Sequence, residues 1–435
     1  MMTDQFPPLP ETVQQQVLPN GLTVIGIQKP GFVRHYAQLT VFFGSASTRT
    51  VTASDGTTVT LPAGMAHFLE HKMFDKGTYD AADLFAARGA DVNAYTTRDI
   101  TNYYCSGLQN IQADVQDLIN FVLTPYFTQE TVEREQGIIA QEIQMYQDEP
   151  DYASQQVLWE HLFPDSIIAE DVAGTRASIV QITPAILRAA YDTYYQAHNM
   201  QLVVIGDFDF TQLIDQLTFP AVATPKRAVP AAPVVQENVI TAPRLMRSPS
   251  SLPEAWLGVR LPAMPDPIQR MRMSLLLDIL LSGLLLESAP DFLRLYQDGW
   301  IDDSFLVDAE LHSQFGVLTV GGKTPVPVSL LHTLTHILTV EHARQAITPT
   351  AFAHLQKELI GRTITGFDHY GWLAQQMIDT ADLREGDRHS IYSVNGLANM
   401  VASLNRAELL TLAEQLLQPS KMSAVLVSPE EGEHE

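Results

Sequence analysis

The strongest constraint on this chain lies in GMAHFLEHKMF at residues 64–74, where His67, Glu70 and His71 form the pattern H-x-x-E-H. Residues four positions apart on a helix lie one turn above each other, so both imidazoles would share one face. Two neutral imidazoles on one helical turn form half of a tetrahedral zinc site. Glu70 would lie beside them, where a carboxylate suits a general base for water better than a third ligand. The pattern therefore predicts a helix that carries a catalytic metal centre.

A third protein ligand is expected elsewhere, because catalytic zinc usually has three protein ligands and one open position. The segment VEREQGIIAQEIQMY at 132–146 offers Glu135 and Glu142, which are nearly two helical turns apart and share a face. One carboxylate can bind the metal while the other accepts a hydrogen bond from a ligand histidine. The spacing alone does not assign these roles, and either carboxylate could be a solvated surface charge.

The H-x-x-E-H motif with the later E-x-x-x-x-x-x-E resembles the pitrilysin family of zinc peptidases, an inverzincin family that includes insulysin and the mitochondrial processing peptidase. The resemblance implies one zinc ion per chain, bound by His67, His71 and Glu142. It also implies that Glu70 activates water. Glu135 would support the site by hydrogen-bonding a ligand, without touching the metal itself.

The resemblance extends to LPNGLTV at 18–24 and to GADVNAYTTRD at 89–99. In the family the second segment is an edge strand whose Asn-Ala pair binds substrate, and here that pair is Asn93 and Ala94. An exposed edge strand can hold an extended peptide through backbone hydrogen bonds. The alternative is that Asn93 serves a turn, because glycine, aspartate and asparagine in this stretch favour turns.

The segment LRLYQDGWIDDSF at 293–305 departs from the family pattern. The family has an arginine and, farther on, a tyrosine that help to bind substrate or transition state, whereas this segment has Arg294 but Ile301 at the tyrosine position. An isoleucine cannot donate a hydrogen bond to an oxyanion, although the nearby Tyr296 leaves a shifted alignment open. The resemblance to bacterial members of this length then implies a zinc-bearing subunit whose homologous partner supplies the Arg/Tyr pair. A homodimer is the alternative.

A second histidine pair, His332 and His336, lies in LLHTLTHILTVEH. No base stands between these histidines, and the leucines and isoleucine around them have the spacing of an ordinary amphipathic helix. We therefore expect a solvated or capping helix face here and no second active site.

Composition narrows the partners and the compartment. The net charge of −24 argues against nucleic acid, while an acidic surface could attract cationic peptides or simply serve solubility. The apolar run LLLDILLSGLLL at 275–286 is short and contains Asp278, so no membrane span is expected. Cys105 is the single cysteine, which excludes an internal disulfide, and the first residues lack the pattern of a secretory signal. We expect a cytoplasmic protein.

The order of strand and helix patterns predicts an α+β fold of two homologous domains, each a mostly antiparallel sheet packed against helices. We place a zinc-bearing catalytic domain at 1–218, a Pro/Ala-rich linker at 219–245 and a second α+β domain without a metal motif at 246–435. Repeated prolines disfavour helix, which supports the linker. The duplication, and the arrangement of the two domains as half of a clamshell chamber, are what the family resemblance implies.

The predicted function is a zinc-dependent endopeptidase that cleaves short or unfolded peptides held as an added β-strand, together with a paralogous subunit. Two alternatives stay open. One is a non-catalytic peptide-binding or scaffold subunit of a peptidase-like heterodimer. The other is a metal-containing peptide carrier with negligible turnover.

Overall fold

The computed structural model describes residues 12–220, 235, 238–248, 252–378 and 394–429. Contacts divide these residues into two compact units. The described residues of 1–144, 171–233 and 365–397 form unit 1, and those of 145–170, 234–364 and 398–435 form unit 2.

Unit 1 contains a six-stranded sheet in the order β1-β2-β8-β3-β7-β6, with β2 parallel to β8 and the other neighbours antiparallel. A separate hairpin is formed by β4 and β5. The eight strands are β1 Thr12–Val17, β2 Thr23–Gln28, β3 His35–Val41, β4 Thr50–Thr52, β5 Thr58–Thr60, β6 Asp91–Thr96, β7 Thr101–Gly107 and β8 Met200–Gly206. In the described part of the chain β6 pairs with β7 alone, so it forms one edge of the sheet.

Helices cover one face of this sheet and form the core of unit 1. They are α1 Met65–Phe74, α2 Ala81–Ala86, α3 Ile111–Leu123, α4 Gln129–Asp148, α6 Arg176–Ile179, α7 Pro184–Tyr194 and α8 Phe210–Gln216, with α5 Pro150–Leu162 belonging to unit 2. The helix α3 shows why they pack this way. Its buried Val115, Leu118, Ile119 and Val122 follow the helical period and face the core, while the Asn110 side chain caps its first turn.

The opposite face of the sheet in unit 1 carries buried polar side chains, among them Gln38, Thr40 and Asn102. A later helix packs on β8 and β3 within this unit, and the Gln201 side chain donates a hydrogen bond to the Met377 carbonyl at 3.2 Å. That helix is α14, Tyr370–Ile378. The helices between α8 and α14 in chain order are α9 Pro267–Leu284, α10 Pro290–Gln297, α11 Pro327–Ile337, α12 Val340–Ala346 and α13 Pro349–Gly366.

Unit 2 has a five-stranded sheet in the order β11-β12-β10-β13-β9, in which only the β13–β9 pair is parallel among the described residues. Its strands are β9 Arg244–Ser248, β10 Glu254–Leu261, β11 Leu306–Leu311, β12 Gly316–Lys323 and β13 Met422–Pro429, and the last two helices are α15 Val394–Ser403 and α16 Arg406–Leu416. The apolar run at 275–286 lies mostly in α9 and is largely buried in the core of this unit. Among the described residues, none of the helices combines the length and the apolar character that a membrane crossing would need.

The predicted α+β class is confirmed, with both sheets packed against helices. The two units, however, do not divide the chain at a single point as the sequence-based domains at 1–218 and 246–435 do. Residues 145–170 belong to unit 2, where α5 packs across β10 and β13, and the described residues of 365–397 belong to unit 1. Much of the proposed linker at 219–245 lies outside the described residues.

Candidate metal centre

The helix α1 presents the H-x-x-E-H residues from a rigid support. Met65, Phe68, Leu69 and Met73 are almost completely buried in the core of unit 1. The helix starts after Gly64, whose φ of 83° lies in the left-handed region; a Cβ there would also stand 2.4 Å from the Ala173 carbonyl oxygen. Core packing on one side and this close approach at the first turn fix the helix in place.

The helix α4 brings the late glutamates to the same place. Its Val132, Ile139 and Ile143 are buried in the core of unit 1, which sets the rotation of the helix about its axis. Glu135 is buried, and the Glu142 side chain retains 20% exposure. Two segments that are far apart in the chain therefore meet in one unit.

Three of the predicted side chains converge. His67 Nε2 lies 3.7 Å from Glu142 Oε1, and His71 Nε2 lies 3.4 Å from Glu142 Oε2. One ligand atom from each of the three residues lies within 4.8 Å of the others, and no other such group of three occurs among the described residues. Atoms that bind a tetrahedral zinc at ~2.1 Å stand about 3.4 Å apart. The nitrogen and oxygen donors and their separations therefore fit a zinc ion.

Glu135 supports one of these histidines. Its Oε1 lies 3.0 Å from His71 Nδ1, and because an ionised carboxylate can only accept, the imidazole nitrogen donates. This bond directs Nε2 of the same ring toward Glu142. Burial lowers the pKa of His71, but the hydrogen bonds to Glu135 and Glu142 and the charge of Glu70 outweigh burial and raise this pKa to about 10. In the absence of metal, the His71 ring is therefore the positively charged imidazolium at neutral pH.

Glu70 lies beside this group without being one of its three members. The residue is 8% exposed, and its Oε2 accepts a hydrogen bond from the Thr96 hydroxyl at 2.7 Å. Thr96 is the last residue of β6, so this bond joins α1 to the edge strand. Sequence reasoning did not single out Thr96, because threonine is a common residue in strands.

The predicted substrate strand is at the edge of the sheet. Thr97 donates its backbone N–H to the Ile100 carbonyl where the β6–β7 hairpin closes, and the register pairs Ala94 with Tyr103. Because antiparallel bonds alternate along a strand, the backbone groups of Ala94 face away from β7. The Asn93 side-chain oxygen accepts the Ala94 N–H at 2.8 Å. A peptide that pairs at this position must displace the Asn93 carboxamide.

An ion-pair network behind the site was not predicted from the sequence. Lys72 is completely buried, and its Nζ donates to Asp75 Oδ2 at 2.8 Å. Arg134 of α4 donates to the same oxygen at 2.6 Å, which ties the end of α1 to α4. Burial raises the pKa of Asp75, but the hydrogen bonds from Lys72 and Gly77 bring it below its usual value. The sequence feature that could have indicated this network is Lys72, a lysine among the apolar residues of the predicted helix.

Other candidate residues lie elsewhere. His332 and His336 are exposed on α11, which agrees with the solvated helix face expected there. In unit 2, Ile301 is 4% exposed within the hydrophobic core. Arg294 lies on α10, half exposed, and pairs with Asp291 at 3.1 Å.

Two family models match this chain. Residues 60–176 match the family model described as insulinase, peptidase family M16, and residues 181–356 match the model of the peptidase M16 inactive domain. A Bacillus subtilis (strain 168) protein named as an uncharacterized zinc protease, YmfH, is 31% identical over 382 residues, which cover 86% of this chain and 88% of the relative.

Solved structures are similar over nearly the whole chain. A protein from Alicyclobacillus acidocaldarius described as an M16-like peptidase superposes with a TM-score of 0.87 at 29% identity, covering 97% of this chain and 99% of the other. A protease from Helicobacter pylori superposes with a TM-score of 0.79 at 15% identity, covering 98% and 100%, and so supports the fold alone.

Proposed function

Because this chain belongs to the M16 family of peptidases, we propose that it is a zinc-dependent endopeptidase that cleaves short or unfolded peptides held as an added β-strand. The family resemblance stated from the motifs is thereby confirmed. The observation that carries the proposed activity is the convergence of His67, His71 and Glu142, with Glu70 beside them.

His67, His71 and Glu142 would hold the metal, one ion per chain, and Glu135 would orient His71. When bound there, a zinc ion supplies Lewis acidity and lowers the pKa of water to ~7. Two neutral imidazoles and one carboxylate are a donor set found in zinc peptidases. Three protein donors would leave such an ion accessible to water or substrate.

Glu70 is the proposed general base. Its buried carboxylate takes a proton from the attacking water and passes the proton to the leaving amine. The Thr96 hydroxyl donates a hydrogen bond to Oε2 of this carboxylate. A metal held by these residues would balance part of the negative charge of the transition state, and hydrogen-bond donors would have to balance the rest.

The proposed substrate site is the open edge of β6. Asn93 and Ala94 lie on this edge, and an added strand would pair with the outward-facing backbone of Ala94. Pairing of this kind needs an extended backbone, which favours short or unfolded peptides. The bond to be cut is then placed by the register of the peptide along the strand.

A homologous subunit is proposed as the partner. Ile301 packs in the core of unit 2 and carries no hydrogen-bond donor in its side chain, so this half offers no tyrosine at the family position. A second subunit with an Arg/Tyr pair would supply donors to the oxyanion, and removal of one such donor costs about 10²–10³-fold in kcat. A homodimer remains the alternative.

The test is digestion of a peptide library by the chain alone, with a paralogue from the same genome, and with a chelator. We expect cleavage that the chelator abolishes and the paralogue accelerates. Glu70→Gln should retain zinc and lose about 10²–10⁴-fold in turnover, because the carboxamide cannot accept the proton. Glu133→Gln, at an exposed position of α4, is the matched control and should behave as the wild type.

Two results would favour the alternatives. Elemental analysis that finds no bound metal would indicate a binding or scaffold subunit. Bound zinc without any peptide product, even with the paralogue, would indicate a carrier. Turnover that survives Glu70→Gln would remove Glu70 from the role of base, and equal rates with and without the paralogue would contradict the proposed division of labour.

A further inference from the structure

Thr96 connects the edge strand to the carboxylate beside the metal centre. Its hydroxyl donates to Glu70 Oε2 at 2.7 Å, a distance typical of a strong hydrogen bond to an ionised acceptor. Glu70 is 8% exposed, and a buried carboxylate needs such donors to offset its lost hydration. Among the described residues, the Thr96 hydroxyl is the donor that the structure shows for this side chain.

The hydroxyl is itself held rigidly. Threonine is branched at Cβ, which restricts rotation about χ1. Thr96 pairs with Thr101 across the β6–β7 ladder, and the next residue, Thr97, closes the hairpin with Ile100. Glu70, in contrast, has a long flexible side chain that α1 alone does not orient. The strand therefore supplies the orientation that the helix lacks.

The side chain of Thr96 lies on the same face of β6 as that of Ala94, because side chains two positions apart in a strand share a face. Ala94 packs against the core of unit 1, which places this face toward α1. The backbone of the same two residues faces the open edge of the sheet. One short stretch of strand thus contacts Glu70 through a side chain and offers its backbone to a peptide.

We propose that Thr96 is a positioning residue that aligns the Glu70 carboxylate with a peptide paired on β6. This inference rests on the proposed peptidase function. A misplacement of about 1 Å in a reacting group can cost ~10²-fold in rate. Loss of the hydroxyl should therefore reduce kcat and leave peptide binding, which depends on the strand backbone, nearly unchanged.

The test compares Thr96→Val, Thr96→Ser and Thr97→Val in the full chain with its paralogue. Valine keeps the shape and the β-branch but has no donor, so we expect kcat to fall about 10–100-fold with KM within about twofold. Serine restores the donor and should recover most of the rate. Thr97→Val removes a neighbouring hydroxyl whose partners are Asp99 and Ile100 of the hairpin turn and not Glu70. The backbone bond between Thr97 and Ile100 remains in this variant, so it should keep the wild-type kcat at temperatures well below unfolding. Zinc content should stay at one ion per chain in all three.

A second measurement does not depend on activity. In metal-free protein, Thr96→Val, Glu70→Ala and the double variant form a cycle of urea midpoints. If the hydrogen bond is formed, the shift of the double variant is smaller than the sum of the two single shifts. Thr96→Ala replaces Thr96→Val in both experiments if the valine variant does not fold.

The outcomes separate the two proposals. A wild type that cleaves no peptide overturns the proposed function and this inference with it. A wild type that depends on Glu70 but has the same kcat as Thr96→Val overturns the role of Thr96 alone. Additive midpoint shifts, or a rate that serine does not restore, would also overturn it.

Discussion

At the scale of single residues, the site depends on how one histidine is held. His71 donates from Nδ1 to Glu135 and directs Nε2 toward Glu142. One ring nitrogen therefore orients the imidazole, and the other faces the proposed metal position. Within the described ranges, His67 has one contact of this kind, with Glu142 at 3.7 Å. Metal affinity should therefore depend on Glu135 even though Glu135 lies outside the three-residue group.

Glu135→Gln should weaken zinc binding by about 10-fold or more, because the carboxamide is a poorer acceptor and no longer increases the basicity of His71. Competition against a coloured chelator measures the affinity. Glu133→Gln on the same helix is exposed and serves as the control. Equal zinc affinity in the Glu135 variant and the control would show that Glu135 has no part in the site.

Zinc affinity should also rise with pH. The pKa of His71 in the metal-free protein is raised to about 10, so zinc must displace a proton at any lower pH. Between pH 6.5 and about 10, this one proton should improve the apparent affinity by about tenfold per pH unit. The folding stability of the metal-free protein has the opposite pH dependence. The stabilisation from protonated His71 is complete below pH 6.5 and is lost as the pH rises through about 10. Zinc affinity that does not change between pH 7 and 8 would contradict this assignment.

At the scale of elements, a buried polar contact fixes α5 to the sheet of unit 2. Glu254 at the start of β10 is fully buried and accepts hydrogen bonds from Ser154 and from the Trp256 indole, each at 2.9 Å. Burial raises the pKa of Glu254, and the neighbouring Asp151 on α5 raises it further, while the bonds from Trp256 and Ser154 oppose this. The carboxyl group therefore holds its proton more tightly in the folded chain than in the unfolded chain.

A carboxyl with a raised pKa in the folded state makes the protein less stable as the pH rises above the unfolded value of 4.5. Glu254→Gln should remove this loss, because its amide oxygen still accepts from Ser154 and Trp256 and its NH₂ can donate to Asp151. We expect the variant to unfold at a higher urea concentration than the wild type at pH 8, with a smaller difference at pH 4.5. Glu160→Gln, exposed on α5, is the control. A Glu254→Gln variant that is less stable than the wild type at pH 8 would contradict the raised pKa of Glu254.

At the scale of the whole molecule, the charge of −24 is the dominant property. A strongly acidic protein attracts cations over a distance that salt shortens, to ~10 Å at 0.1 M. This field could steer basic peptides toward the protein, or it could serve solubility alone. Ionic strength distinguishes the two.

We expect kcat/KM for a lysine-rich peptide to fall several-fold between 50 and 300 mM salt, because screening removes the steering, whereas a neutral peptide of equal length should change little. Initial rates at low substrate concentration measure this. The same slope for both peptides would assign the negative charge to solubility.

The sequence by itself determined the features that depend on local periodicity. The spacing of His67 and His71 predicted that both lie on one face of a helix. The spacing of Glu135 and Glu142 predicted the same for a second helix, and both helices are present. The long helices were found because burial of an apolar stripe recurs with the helical period. Short elements such as α6, α8, α12 and the β4–β5 hairpin were not predicted, because a few residues carry too little periodicity.

Only the tertiary structure decided which distant elements meet. It brought α1 and α4 together around three donor atoms, placed β6 at an edge of its sheet, joined Thr96 to Glu70, and packed α5 into unit 2. The physical reason is that such contacts follow from the summed packing of a core, to which each residue adds a small free energy. The identity of one residue does not show which distant residue it will contact. The residues of a helical face, in contrast, can be recognised from their own spacing in the sequence.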